Sequence, residues 1–208
     1  MPSIELIADY ACRTGESPMW HPLEQAVYWA DVPRRALFRY DPAKGTHERV
    51  YEDDLIVGGY TVQSDGALLF MLPGGAVRAW RERFLATPLP GVPAERHTRF
   101  KDCVADPAGR VFVGSVSKPD APGRVYRIDL DGTVKLILAQ PDIERPNGIA
   151  VTQVGSTLYL VDSCPTIGGN RKIWQFDLDE SGTPSNQRVV IDFAPGRGGD
   201  GMRLDMEG

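Results

Sequence analysis

One pair of strands recurs four times along this chain, and that recurrence limits the fold more than any other feature. Ala26-Val-Tyr-Trp-Ala-Asp31 can be laid over Ala67-Leu-Leu-Phe-Met-Leu72, Arg110-Val-Phe-Val-Gly-Ser115 and Thr157-Leu-Tyr-Leu-Val-Asp162. The central residues Tyr28, Leu69, Phe112 and Tyr159 stand about 41, 43 and 47 positions apart, the period of four-stranded propeller blades. Each is followed by a second strand: Leu37-Phe-Arg-Tyr-Asp41, Ala76-Val-Arg-Ala-Trp80, Val125-Tyr-Arg-Ile-Asp129 and Ile173-Trp-Gln-Phe-Asp177. These alternate apolar and polar residues as half-buried strands do. Turn residues ending in Gly45, Gly132 and Gly182 then send the chain into a third strand such as Val134-Lys-Leu-Ile-Leu138 or Arg188-Val-Val-Ile-Asp192. A sandwich or a barrel also has many short strands, but neither predicts one strand pair recurring at this period.

The reading is therefore an all-β chain forming a β-propeller. Helical periodicity is almost absent, and the 22 glycines and 17 prolines are spread as turn punctuation rather than gathered in a linker. Residues 1–208 are expected to form a single partial propeller domain. At about 45 residues per blade the chain holds roughly four to five blades, and Met202-Arg-Leu-Asp-Met-Glu-Gly208 reads as the start of another strand.

At 42% apolar and 25% charged residues the chain can bury an ordinary globular core. A formal charge of −5 with no local Lys/Arg cluster argues against a nucleic-acid partner. The opening residues lack a basic region followed by a long apolar run, and no segment approaches the roughly 18 apolar residues of a membrane span, so a cytoplasmic protein with no membrane partner is expected. Cys12, Cys103 and Cys164 are odd in number and contain no CxxC pair, which argues against a disulfide framework or a structural zinc site. His21, His47 and His97 stand in unrelated contexts with no Gly-x-Ser-x-Gly elbow, and they read as surface or loop residues.

Gly15-Glu-Ser-Pro-Met-Trp20, followed by Val27-Tyr-Trp-Ala-Asp31, resembles the opening of the SMP-30/gluconolactonase/regucalcin family. Arg99-Phe-Lys-Asp-Cys-Val-Ala-Asp-Pro-Ala-Gly-Arg110, Arg145-Pro-Asn-Gly-Ile-Ala150 and Gly199-Asp-Gly-Met-Arg-Leu-Asp205 follow in the family's order. The resemblance implies a six-bladed propeller, for which about 270 residues would be needed. It implies further that Ile4-Glu-Leu-Ile-Ala8 is a ring-closing strand whose partner lies outside this chain, an open edge that invites association, so a monomer or weak homo-oligomer is expected.

The same resemblance implies that Glu16, Asn147 and Asp200 bind one divalent metal ion from loops at one end of the channel, with Asp200 also the general base. Two carboxylates and an amide carbonyl suit Ca²⁺ first, with Mg²⁺, Mn²⁺ or Zn²⁺ as alternatives. The implied reaction is hydrolysis of a sugar lactone to the aldonic acid by a metal-activated water. Arg99 matches a substrate-binding arginine. Lys101 stands where the family usually has asparagine and Cys103 where it has glycine, in a motif reading Arg-Phe-Asn-Asp-Gly. A lysine there would favour an anionic lactone, or would instead pair with Asp102, itself implied to be a neighbour of the metal. Taken singly, Pro-Asn-Gly and Gly-Asp-Gly are common turn sequences. A non-enzymatic calcium-binding or scaffold propeller, and an ester or organophosphate hydrolase, remain alternatives.

Overall fold

A computed structural model describes residues 4–118, 121–164 and 169–205. These residues form four antiparallel sheets of four strands each, with every sheet ordered as the strands follow in the chain. Blade 1 holds β1 (Gly15–His21), β2 (Ala26–Asp31), β3 (Ala36–Asp41) and β4 (Thr46–Glu52). Blade 2 holds β5 (Gly59–Val62), β6 (Leu68–Met71), β7 (Val77–Arg81) and β8 (Arg83–Leu89). Blade 3 holds β9 (Phe100–Ala105), β10 (Val111–Ser115), β11 (Val125–Ile128) and β12 (Val134–Leu138). Blade 4 holds β13 (Pro146–Val151), β14 (Thr157–Ser163), β15 (Arg171–Leu178) and β16 (Pro184–Asp192).

The recurring strand pair of the sequence is thus the second and third strand of each blade. The first strands β1, β5, β9 and β13 show no repeat of their own, although the family-like motifs lie on them. They pack in succession, β1 on β5, β5 on β9 and β9 on β13, and so line the centre. The expected turn glycines Gly45, Gly132 and Gly182 all take φ between +64° and +82°, a region open to glycine at no steric cost. Two end-of-chain expectations differ. Ile4 to Ala8 is irregular, with Ile4 and Leu6 exposed, and the segment through Gly201 to Asp205 forms no strand. A strand requires a ladder partner, and among the described residues neither segment has one.

Alternation along the strands builds the core as layers between blades. Tyr28, Leu37, Tyr60, Phe70 and Trp80 join blades 1 and 2. Met71, Phe100, Val113 and Tyr126 join blades 2 and 3, and Phe112, Ile149, Leu160 and Phe176 join blades 3 and 4. Full burial of each large apolar side chain contributes about 1.5 to 3 kcal/mol before entropy is counted. His21 belongs to this scaffold and is not a surface residue. Fully buried, it accepts from the Glu24 backbone N–H at Nδ1 (3.1 Å), so the proton sits on Nε2 and is donated to the Gly66 carbonyl (3.0 Å) across the blade junction.

Buried carboxylates hold the chain where it enters three of the four inner strands. Asp31 accepts from the backbone N–H groups of Arg13 (2.9 Å) and Thr14 (3.3 Å), just before β1. Asp162 accepts from Glu144 (3.0 Å) and Arg145 (2.7 Å), just before β13. Burial pushes the Asp162 carboxyl above its ordinary value, and those two N–H donors offset part of the shift. Glu95, in the turn before β9, is fully buried and accepts from Tyr126 Oη (2.7 Å), Arg124 Nη1 (3.1 Å) and Thr98 Oγ1. The first two carboxylates end the strands whose recurrence marks the fold, and each sets the position of a residue two places further along, Glu16 and Asn147.

Candidate active site at the channel mouth

Three inner strands slip register close to their first residue. β1 loses register to β2 between Glu16 and Met19, with Ser17 at φ 54°. β9 opposes Lys101 to Gly114 and Cys103 to Val113, which leaves Asp102 as the extra residue at φ 21°. β13 slips between Pro146 and Ile149, across Asn147 and Gly148. A β-bulge bends the strand and re-aims a side chain. Each of the three re-aims a polar one towards the same end of the channel. The expectation of loops is corrected here for Glu16 and Asn147, which sit on bulged strands, and Pro-Asn-Gly is strand rather than turn.

Gly148 is needed for close approach. A Cβ there would stand 2.4 Å from the Met202 backbone nitrogen and 2.6 Å from the Asp200 carbonyl oxygen. That approach lets the Gly148 N–H donate to the Asp200 carbonyl (3.0 Å), tying the segment after β16 beside Asn147. Glu16, Asp102, Gly148, Asp200 and Arg203 line one cavity of about 320 Å³. On the other side of Glu16 and Asp102 a smaller cleft of about 170 Å³ adds Arg99 and Lys101.

Asn147 donates from Nδ2 to Ser163 Oγ (3.1 Å) and accepts at Oδ1 from Lys101 Nζ (2.8 Å). The Ser163 contact sets which end of the amide faces the mouth. Ser163 was not a sequence candidate, and its only signal was its place directly after Asp162 at the end of a recurring strand. Lys101 Nζ also lies 2.9 Å from Asp102 Oδ2, so the lysine pairs with Asp102 as well as with Asn147. Arg99 is half-buried; desolvation lowers its guanidinium from the ordinary value against the attraction of Asp102 and Glu16. Cys103 is buried beneath the mouth, and desolvation pushes its thiol up to about 12, which keeps it protonated and unreactive.

Burial raises the Glu16 carboxyl above its ordinary value, and the charges of Asp200 and then Asp102 raise it further, while Lys101 and Arg99 pull the other way. Negative charge at Glu16 is therefore under-compensated, a condition that a cation relieves. Among the described residues no three His, Cys, Asp or Glu side chains form a metal-binding group by themselves. The set Glu16, Asp200 and Asn147 differs in drawing one donor from an amide, and its all-oxygen chemistry fits a hard divalent ion.

This architecture coincides with that of a described group of proteins. The SMP-30/gluconolactonase/LRE-like region family matches residues 14–208, and the chain belongs to that family. Among its relatives, pentonolactonase XacC of Haloferax volcanii is 33% identical over 99% of this chain and 68% of its own length. The 6-deoxy-6-sulfogluconolactonase of Pseudomonas putida is 28% identical over 93% of this chain and 66% of its own. A luciferin-regenerating enzyme superposes with a TM-score of 0.76 at 25% identity, covering 93% of this chain and 66% of the other. The chain thus spans about two thirds of the length of these proteins. No helix among the described residues is long and apolar enough to cross a membrane.

Proposed function

We propose that the protein is a lactonase, a hydrolase of carboxylic esters, which opens a sugar lactone with a divalent metal ion held by Glu16, Asn147 and Asp200. The observation that carries this reading is the convergence of Glu16, Asp200 and the Asn147–Gly148 bulge at one mouth in a member of a family with relatives named as lactonases. When bound there, the ion supplies Lewis acidity for the ester carbonyl and lowers the pKa of a water. Asp200 is exposed at the mouth, and its carboxylate takes the proton of the attacking water. Arg99 presents its fork of donors to the hydroxyls and ring oxygen of the sugar. Lys101 adds a cation beside that pocket and favours an anionic sugar lactone, the kind of substrate for which the Pseudomonas relative is named.

Asp200→Ala should lower turnover of a sugar lactone by about 10³-fold or more with Ca²⁺ or Mn²⁺ in excess, because a ligand and the base go together. Steady-state hydrolysis beside the parent protein measures this, and retained turnover would reject both roles of Asp200.

A further inference from the structure

Lys101 occupies an acceptor that the proposed metal also needs. Its ammonium is 2.8 Å from Asn147 Oδ1 and 2.9 Å from Asp102 Oδ2, on a side chain only 19% exposed. Asn147 has no second oxygen to offer, and its Nδ2 is committed to Ser163. A metal bonded to Oδ1 at about 2.0 to 2.6 Å would stand within about 5 Å of an ammonium on the same oxygen. Two like charges that close, one of them divalent, repel strongly in a partly desolvated site. Asp102 lies next to Lys101 in sequence and lets the ammonium leave Asn147 while keeping one ion pair.

We infer that Lys101 is a tethered cation that fills the metal's place on Asn147 and is displaced from it when the divalent ion binds. The inference rests on the metal reading above and adds a competitor to it. In the metal-free protein the lysine partly neutralises Glu16 and Asp102 and ties β9 to β13; in the metal-bound protein it is released toward the substrate cleft that it lines with Arg99. The site therefore trades metal affinity for stability without metal, and it delivers a cation to the substrate side only once it is loaded.

Calorimetric titration of the metal-free protein with Ca²⁺, repeated with Mn²⁺, tests this in the parent, Lys101→Met and Lys101→Arg. Lys101→Met removes the charge and is expected to tighten Kd about tenfold or more, while Lys101→Arg stays near the parent. The metal-free Met variant should also melt below the parent, with the gap closing in saturating Ca²⁺, a rescue that a purely structural lysine would not show. Equal or weaker affinity in Lys101→Met overturns the inference and leaves the metal reading standing. No binding of either ion by parent or variants overturns both. Should Lys101→Met fail to fold, reductive methylation of the parent decides. Ca²⁺ should raise the labelling of Lys101 relative to Lys44, Lys118, Lys135 and Lys172, and unchanged or lower labelling overturns the inference.

Discussion

Strand β5 holds in its blade the place that β1, β9 and β13 hold in theirs, yet it pairs with β6 in unbroken register from Gly59–Met71 to Val62–Leu68, whereas each of the other three slips once near its start. The three slipped strands carry Glu16, Lys101 with Asp102, and Asn147. The regular one carries Gly59 and Tyr60, directly preceded by Gly58, and no candidate site residue. Its contribution is room and support. A Cβ on Gly58 would stand 1.9 Å from the Phe100 carbonyl oxygen and 2.8 Å from Arg99 Nη1, and one on Gly59 would stand 3.0 Å from the Asp102 backbone nitrogen. Tyr60, fully buried, donates from its hydroxyl to the Ser17 carbonyl (2.7 Å), inside the bulge that aims Glu16. Equivalent positions in a repeat can thus divide the labour, some strands distorted to present chemistry and one kept regular and bare so that its neighbours can close.

The sharpest way to break this comparison is Gly58→Ala. The new methyl group meets backbone rather than a movable side chain, so the variant should lose about 3 kcal/mol of unfolding free energy by urea titration. A stability equal to the parent's would mean that β5 does not approach β9 this closely. Tyr60→Phe asks whether the regular strand supports the bulge of blade 1. It leaves the Ser17 carbonyl without its donor and should cost about 1 kcal/mol, again by urea unfolding. An unchanged midpoint would separate the two strands energetically. Ser17→Gly has the smallest expected effect, a gain of about 0.5 kcal/mol, since a non-glycine residue at φ 54° carries backbone strain that glycine does not. A loss in thermal denaturation would show that the serine side chain itself holds the bulge.

Much of the architecture was legible because it is written locally. Tyr28 and Phe38, like Tyr159 and Trp174, sit on neighbouring strands whose alternation needs only adjacent residues to be read, and the following Asp and Gly encode their turns. Blade 2 was the weakest copy, ending its third strand on Trp80 and Arg81 without the Asp-to-Gly turn, and the structure crosses there through Glu82 at φ 57°. The inner strands were not legible as a repeat, because β1, β5 and β9 differ in length, bulge and polarity according to what each presents. The family-like motifs on them still named Glu16 and Asn147 as candidates, with Asp200 after the last strand. Ser163, Tyr60 and the buried carboxylates Glu95 and Asp162 stood in no family-like motif, Asp31 stood in one without a role of its own, and the roles of all five rest on partners up to 43 positions away.

By itself the sequence determined the blades, their turns and the oxygen-rich set of candidate ligands, since a period of two within strands and a recurrence between blades are properties of the chain read in order. The tertiary structure alone decided that Lys101 meets Asn147 across 46 positions, that the Gly148 N–H holds the Asp200 carbonyl, and that bulges rather than loops aim the site. Those contacts depend on how neighbouring blades pack around the channel, and packing sums the shapes of all the blades at once, which no local pattern encodes.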